Sequence, residues 1–191
     1  MKRKVLVLLM VAMVAAGAVH ADVVINEVLA DPAPEMAGDA NGDGIRSAYQ
    51  DEFIELMNTG TEAANVSGWS LQDGRKTRHV FPDNSIISPN GYLVVFGGAE
   101  SELTKENWQV ASAGSLGLDN SKDTIILLDQ DQNIIDRLEY GSEASHDQSL
   151  VLQPEGQGQE FARHGEVLSS KGALHSPGAS VENGLARTAQ R

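Results

Sequence analysis

The sequence predicts an all-β protein, an antiparallel β-sandwich of about eight or nine short strands. Three observations point there. The apolar runs are short and rich in β-branched residues, as in VVINEVL at 23–29, YLVVF at 92–96 and TIILL at 124–128. Turn signals separate them, as in Asn58-Thr59-Gly60, Asp73-Gly74 and Pro89-Asn90-Gly91. No stretch carries a sustained helical period.

The chain opens Met1-Lys2-Arg3-Lys4, runs apolar from Val5 to Val19 and reaches Val19-His20-Ala21. A basic start, an apolar run and a small residue form a secretory signal peptide, cleaved near Ala21. The run falls short of the ~20 residues that a membrane span needs. The expected protein is therefore secreted or periplasmic, with no membrane span. Cysteine is absent. An exported chain without disulfides must draw its stability from its core and from any bound ion.

Removing residues 1–21 takes away Lys2, Arg3 and Lys4 and no acid, so 11 basic residues face 27 acidic ones and the net charge is −16. Such a surface repels polyanions and disfavours nucleic acid as a partner. It favours divalent cations. The expected organisation is a signal peptide over 1–21, one sandwich domain over 22–178 and a disordered tail over 179–191.

Strands are expected at Val23–Leu29, Glu52–Met57 and Val66–Gln72, the last with Trp69 as a core anchor. Phe81–Ile87 reads as a short strand broken by Pro82, and Tyr92–Phe96 as a buried one. Residues Ala99–Asn107 are polar and accommodate one helical turn. Trp108–Ala111, Thr124–Leu128, Ile134–Tyr140, Ser149–Leu152 and Glu160–Arg163 follow as strands. Glu55 falls inside an apolar strand. A buried carboxylate needs partners, so Glu55 is expected to accept hydrogen bonds from a neighbouring loop backbone.

The stretch 39–52, DANGDGIRSAYQDE, carries the most specific chemistry. Asp39, Asn41 and Asp43 stand at alternate positions and Gly44 follows, the first half of a calcium loop. Calcium takes six to eight oxygens, which a run of Asp and Asn supplies, and glycine permits the sharp turn. Ile45 would add its carbonyl, and Ser47 could hold a water. The twelfth position is Gln50, and the acids Asp51 and Glu52 come one and two residues late, so one of these two is expected to close the shell. The competing reading is a polar Asx-Gly turn without metal. The expected metal ligands are Asp39, Asn41, Asp43, Ile45, Asp51 and Glu52, and the expected cofactor is Ca²⁺. Asp129 and Asp131 form a weaker second candidate.

Signals for catalysis are missing. His79, His146, His164 and His175 stand at no metal-ligand spacing, and there is neither a nucleophile elbow nor a dinucleotide fingerprint. Arg75, Lys76, Arg78 and His79 cluster near a hairpin tip. Such a run is usually a solvated end that discourages edge pairing. The same cluster could grip a phosphate. Trp108 and Tyr92 would be the platforms of a carbohydrate-binding sandwich, but core positions account for both more simply.

Several segments together resemble the lamin tail domain as it occurs in secreted bacterial proteins. They are INEVLADPAP at Ile25, DEFIELMNTG at Asp51, VSGWSLQDG at Val66, HVFPDNSIISPNGYLVVFGG at His79, LGLDNSKDTIILLD at Leu116 and SPG at Ser176. The resemblance implies an immunoglobulin-like sandwich and a structural or interaction module without catalysis in the domain, often attached to secreted nucleases or phosphatases. The expectation is a non-enzymatic module with a calcium-binding loop, whose partner is an unknown protein or surface polymer. The alternative is an accessory factor or weak enzyme acting on extracellular phosphoesters or nucleic acid.

Overall fold

The computed structural model describes residues 22–103 and 105–183. The expected signal peptide, residues 1–21, lies outside the described residues. The described part is all-β, an immunoglobulin-like sandwich with a few short 3-10 turns. No described helix is long and apolar enough to cross a membrane.

The strands are β1 (Val23–Leu29), β2 (Phe53–Asn58), β3 (Ala64–Asn65), β4 (Ser70–Gln72), β5 (Thr77–Val80), β6 (Ile86–Ile87), β7 (Tyr92–Phe96), β8 (Trp108–Val110), β9 (Asp123–Leu128), β10 (Ile134–Tyr140), β11 (Leu150–Gln153) and β12 (Glu160–Arg163). One sheet has the order β12-β11-β1-β2-β7-β8 and the other β10-β9-β4-β5, with β3 and β6 as a separate pair. The count exceeds the expected eight or nine because pairs as short as Ala64–Asn65 with Ile86–Ile87 leave no periodic signal. The expected strand 66–72 shrinks to β4, since Val66–Trp69 forms a turn closed by the Trp69 amide on the Val66 carbonyl. No helical turn forms over the described residues of 99–107.

The sheets are antiparallel with one exception. β8 runs parallel to β7, pairing Val94 with Trp108 and Phe96 with Val110. A parallel neighbour cannot be reached through a hairpin, so the chain between β7 and β8 makes a crossover.

The main core lies between the sheets. Ile54, Leu56, Leu93 and Val95 meet Leu71, Ile125, Leu127 and Trp69 there. The central strands of the larger sheet are buried on their other face as well, which explains their unbroken apolar character. On that outer face Leu29, Phe53, Val94, Phe96 and Ala40 form a second cluster, with Trp108 packed against it. Phe96 meets the Trp108 ring edge-on at 4.8 Å and Phe53 at 5.6 Å. Two irregular segments cover this face: the excursion between β1 and β2, and the chain after β12. The expected tail begins at 179, yet residues 179–183 are described and bury Val181.

Candidate functional site

The excursion between β1 and β2 contains the expected cation loop. Its geometry follows from short Asx turns. The Asn41 Oδ1 accepts the Asp43 amide at 2.9 Å, and Asp43 Oδ1 accepts the Ile45 amide at 2.8 Å. Asp39 Oδ2 reaches ahead to the Gly44 amide at 3.2 Å. Gly42 and Gly44 have φ of +71° and +92°, a region that residues bearing a Cβ resist. The chain therefore curls around its own carboxylates. Asp39 and Asn41 are each 4 % exposed, whereas Asp43 is half-buried and the Ile45 side chain faces solvent.

Asp51 returns to close this curl. Its Oδ1 accepts the Asn41 amide at 3.1 Å and its Oδ2 the Ser47 amide at 2.7 Å. Burial raises the Asp51 carboxyl above its ordinary pKa; those amides pull it down, and the Asp39 charge pushes it up again. Asp39 and Asp51 thus feel each other inside one loop. Glu52 goes elsewhere. Its Oε2 accepts the Gly117 and Leu118 amides at 2.8 and 3.2 Å. Burial pushes its pKa up to about 7, against the pull of those amides and of Arg78. Of the two acids expected to complete the shell, Asp51 joins the loop and Glu52 does not, because alternate residues of an extended chain point to opposite sides.

The support of the loop comes from residues that the sequence reading left out. Just after β7, Gly97 and Gly98 donate to the Glu52 and Gln50 carbonyls at 2.8 and 3.1 Å. The Gly98 carbonyl accepts the Asn41 amide side chain at 3.1 Å, and the Glu100 amide donates to Asp43 Oδ2 at 2.7 Å. A Cβ on Gly97 would stand 1.8 Å from the Tyr49 carbonyl oxygen, so only glycine lets the backbones approach. The Gly97-Gly98 pair was the available signal. Arg46 ties the other side, donating to the Ala33 carbonyl at 2.8 Å and to the Pro32 carbonyl.

The remaining candidates disperse. Asp129 Oδ1 accepts the Asp131 and Asn133 amides at 2.9 and 2.8 Å, which makes it the anchor of a tight turn. The basic cluster at the β4–β5 hairpin splits. Arg75 and Lys76 are exposed, but Arg78 and His79 are buried on β5. Arg78 lies 2.5 Å from Asp73 in an ion pair, and His79 meets Gln109 at 2.8 Å. The expected solvated hairpin end therefore holds for only half the cluster. Trp69 sits in the main core. Trp108 is covered by the C-terminal segment, and the Tyr92 hydroxyl donates to Glu155 at 3.2 Å, so neither offers a flat platform.

Glu55 has the partners its burial demanded. Its Oε2 accepts the Gly178 amide at 2.6 Å and its Oε1 the Asn26 side chain at 2.9 Å. A cavity of about 590 Å³ lies between residues 37–42, Trp108 and the C-terminal segment 172–183, with Asp39 and Ser176 in its wall.

Residues 16–142 match the family model described as the Lamin Tail Domain. No curated protein matches the chain. The matched span covers well over half of the 191 residues and ends before β11. Strands β1 to β10 of the sandwich fall inside the match, and the chain belongs to the lamin tail domain family.

Proposed function

We infer that this protein is a non-enzymatic structural or interaction module, exported from the cell, whose loop 39–51 is ordered by a calcium ion. The observation that carries the calcium reading is the curl of Asp39, Asn41 and Asp43 about Gly44, closed by Asp51 through the Asn41 and Ser47 amides. The donor set is hard oxygen from carboxylates and an amide, the chemistry calcium prefers. Asp39, Asn41, Asp43, the Ile45 carbonyl and Asp51 would hold the ion, and water would complete its shell. Such an ion would offset the mutual repulsion of Asp39 and Asp51 and fasten the excursion that covers Phe53 and Phe96.

The export reading is supported by the basic-then-apolar start of the chain and by its acidity. The partner is a protein or a surface polymer. The alternative of action on phosphoesters or nucleic acid drew on the Arg75–His79 cluster and on the enzymes to which such domains are often attached; with Arg78 and His79 buried, only Arg75 and Lys76 of that cluster remain exposed.

A thermal melt in calcium and in chelator tests the reading. At ten to a hundred times the dissociation constant, binding to the folded state alone adds about 1.4–2.7 kcal/mol. For a domain of this size that is a rise of several degrees in midpoint. An unchanged midpoint across millimolar calcium removes the metal from the account.

A further inference from the structure

The cavity of about 590 Å³ lies over the outer-face cluster, since Ala40 and Trp108 belong to both. It also shares a residue with the cation loop. Asp39 gives its Oδ2 to the Gly44 amide inside the loop and stands in the cavity wall as well. The volume falls within the ~300–1,000 Å³ of small-molecule sites. Most of the remaining wall is apolar, with Ala37, Leu174, Pro177 and Ala179 beside Ala40 and Trp108. We propose that this cavity binds a small aliphatic carboxylate, its chain against the Ala40–Trp108–Leu174 wall and its head group at Lys105.

The head group follows from the charges in the wall. Among the described residues, Asp39, Lys105 and His175 are the ionisable side chains that line it. Asp39 is 4 % exposed and turned to its own loop. His175 contacts the Ala37 carbonyl at 3.3 Å and meets the Phe53 ring edge-on at 6.3 Å. Lys105 differs from both. It is exposed, its Nζ stands 4.2 Å from the centre of the Trp108 ring, and it reaches the Pro177 carbonyl at 3.5 Å. Among the described residues no carboxylate forms an ion pair with it. The accessible charge of the wall is therefore positive, in a protein whose acids far outnumber its bases. One cation beside one carboxylate suits a singly charged head better than a phosphate. The acidity of the whole chain repels anions at long range, but salt screens that beyond ~8 Å at physiological ionic strength. Burial of the ligand's chain supplies the attraction.

Asp39 couples the cavity to the loop, and this coupling rests on the calcium reading. Without an ion, the Asp39 charge opposes a second anion in the cavity. An ion held by Asp39 cancels that charge. Calcium and carboxylate then strengthen each other, by the same factor in either order.

Octanoate, octanol and octylamine share one chain and differ in head group. Titrating each into the purified protein, in chelator and in calcium, tests the site through the indole N–H signals in NMR, with Trp108→Phe to tell Trp108 from Trp69. Octanoate should move the Trp108 signal and leave that of Trp69 in place. It should bind about two- to fivefold more tightly than octanol, the worth of one exposed ion pair, and octylamine should bind least. Lys105→Met keeps an apolar stem over the ring and should bring octanoate down to octanol. Calcium should tighten octanoate by about fivefold or more and change octanol less. Asp39→Asn should give the same tightening in chelator; if it does not fold, wild type with and without calcium carries that comparison. Equal binding of octanol and octanoate, or a preference for octanoate that survives Lys105→Met, overturns the proposal. So does N-acetyl-leucine binding more tightly than octanoate, which would put a peptide C-terminus in the cavity, or a Trp108 shift that follows protein concentration alone, which would put a second copy there. A protein that binds octanoate but not calcium refutes the ion and leaves the cavity assigned. Calcium binding with no response of Trp108 to octanoate refutes the cavity and leaves the ion.

Discussion

Glu27 and Glu55 stand opposite each other on β1 and β2 as register partners, and neither exposes any surface. A sandwich face that pairs two carboxylates needs donors for every oxygen. Ser149, Asn26, the Ser176 hydroxyl and the backbone of the C-terminal segment supply them. Glu27→Ala would leave the Ser176 amide without its acceptor and take one partner from each of the Ser149 and Ser176 hydroxyls, which keep the Leu174 carbonyl and His164 Nε2. Relief of repulsion on Glu55 offsets only part of this. The expected loss is on the order of 3 kcal/mol, read by urea denaturation.

The Arg78–Asp73 pair gives a prediction with a defined pH sense. Asp73 Oδ1 also accepts the Arg75 and Lys76 amides, both at 2.7 Å. Its pKa is lowered overall: burial pushes it up, and the two amides and the Arg78 guanidinium outweigh that. A carboxyl lowered by folding stabilises the native state above its unfolded value, and the contribution fades as pH falls through the folded value. Asp73→Ala should cost about 3–5 kcal/mol at neutral pH, since it leaves Arg78 buried and unpaired. The gap between wild type and variant should narrow as the pH drops below about 4. Denaturant melts at both pH values check it.

Gly97 holds the cation loop by making room for it. With Tyr49 O only 1.8 Å from where a Cβ would sit, Gly97→Ala must push residues 47–50 away. The Gly97 amide would then lose the Glu52 carbonyl. Loss of about 2 kcal/mol or more is expected from backbone displacement of this kind. The midpoint shift on adding calcium should shrink with it, measured by the same melts.

Asp51 and Glu52 are neighbours with different tasks. Asp51 closes the loop onto Asn41 and Ser47, whereas Glu52 holds the Gly117–Leu118 turn. Glu52→Gln should therefore lower stability in chelator yet leave the response to calcium intact. Asp51→Ala should abolish that response. Midpoints with and without calcium for the two variants distinguish them, and a response that follows Glu52 would reverse the assignment.

Much of the sandwich is written locally. The β-branched runs of β1, β7 and β9 and the turns at Asn58 and Asn90 follow from residue preference alone, and the alternating Asp39, Asn41 and Asp43 announce their loop. What stayed hidden depends on partners far along the chain. The burial of Arg78 and His79 contradicts their polarity until Asp73 and Gln109 are seen beside them. The crossover to β8 leaves no periodic trace. Residues 179–183 read as part of a tail because the contact that holds the Val181 amide comes from Glu155, 26 positions earlier. No local pattern records that.

Calorimetric titration of calcium into the metal-free protein tests the central claim most directly. The account predicts one ion per chain, bound in the range of about 10⁻⁴ to 10⁻³ M that extracellular modules show, and no binding to Asp39→Ala. Absence of saturable heat in the wild type at several millimolar calcium, or equal binding by Asp39→Ala, would contradict it.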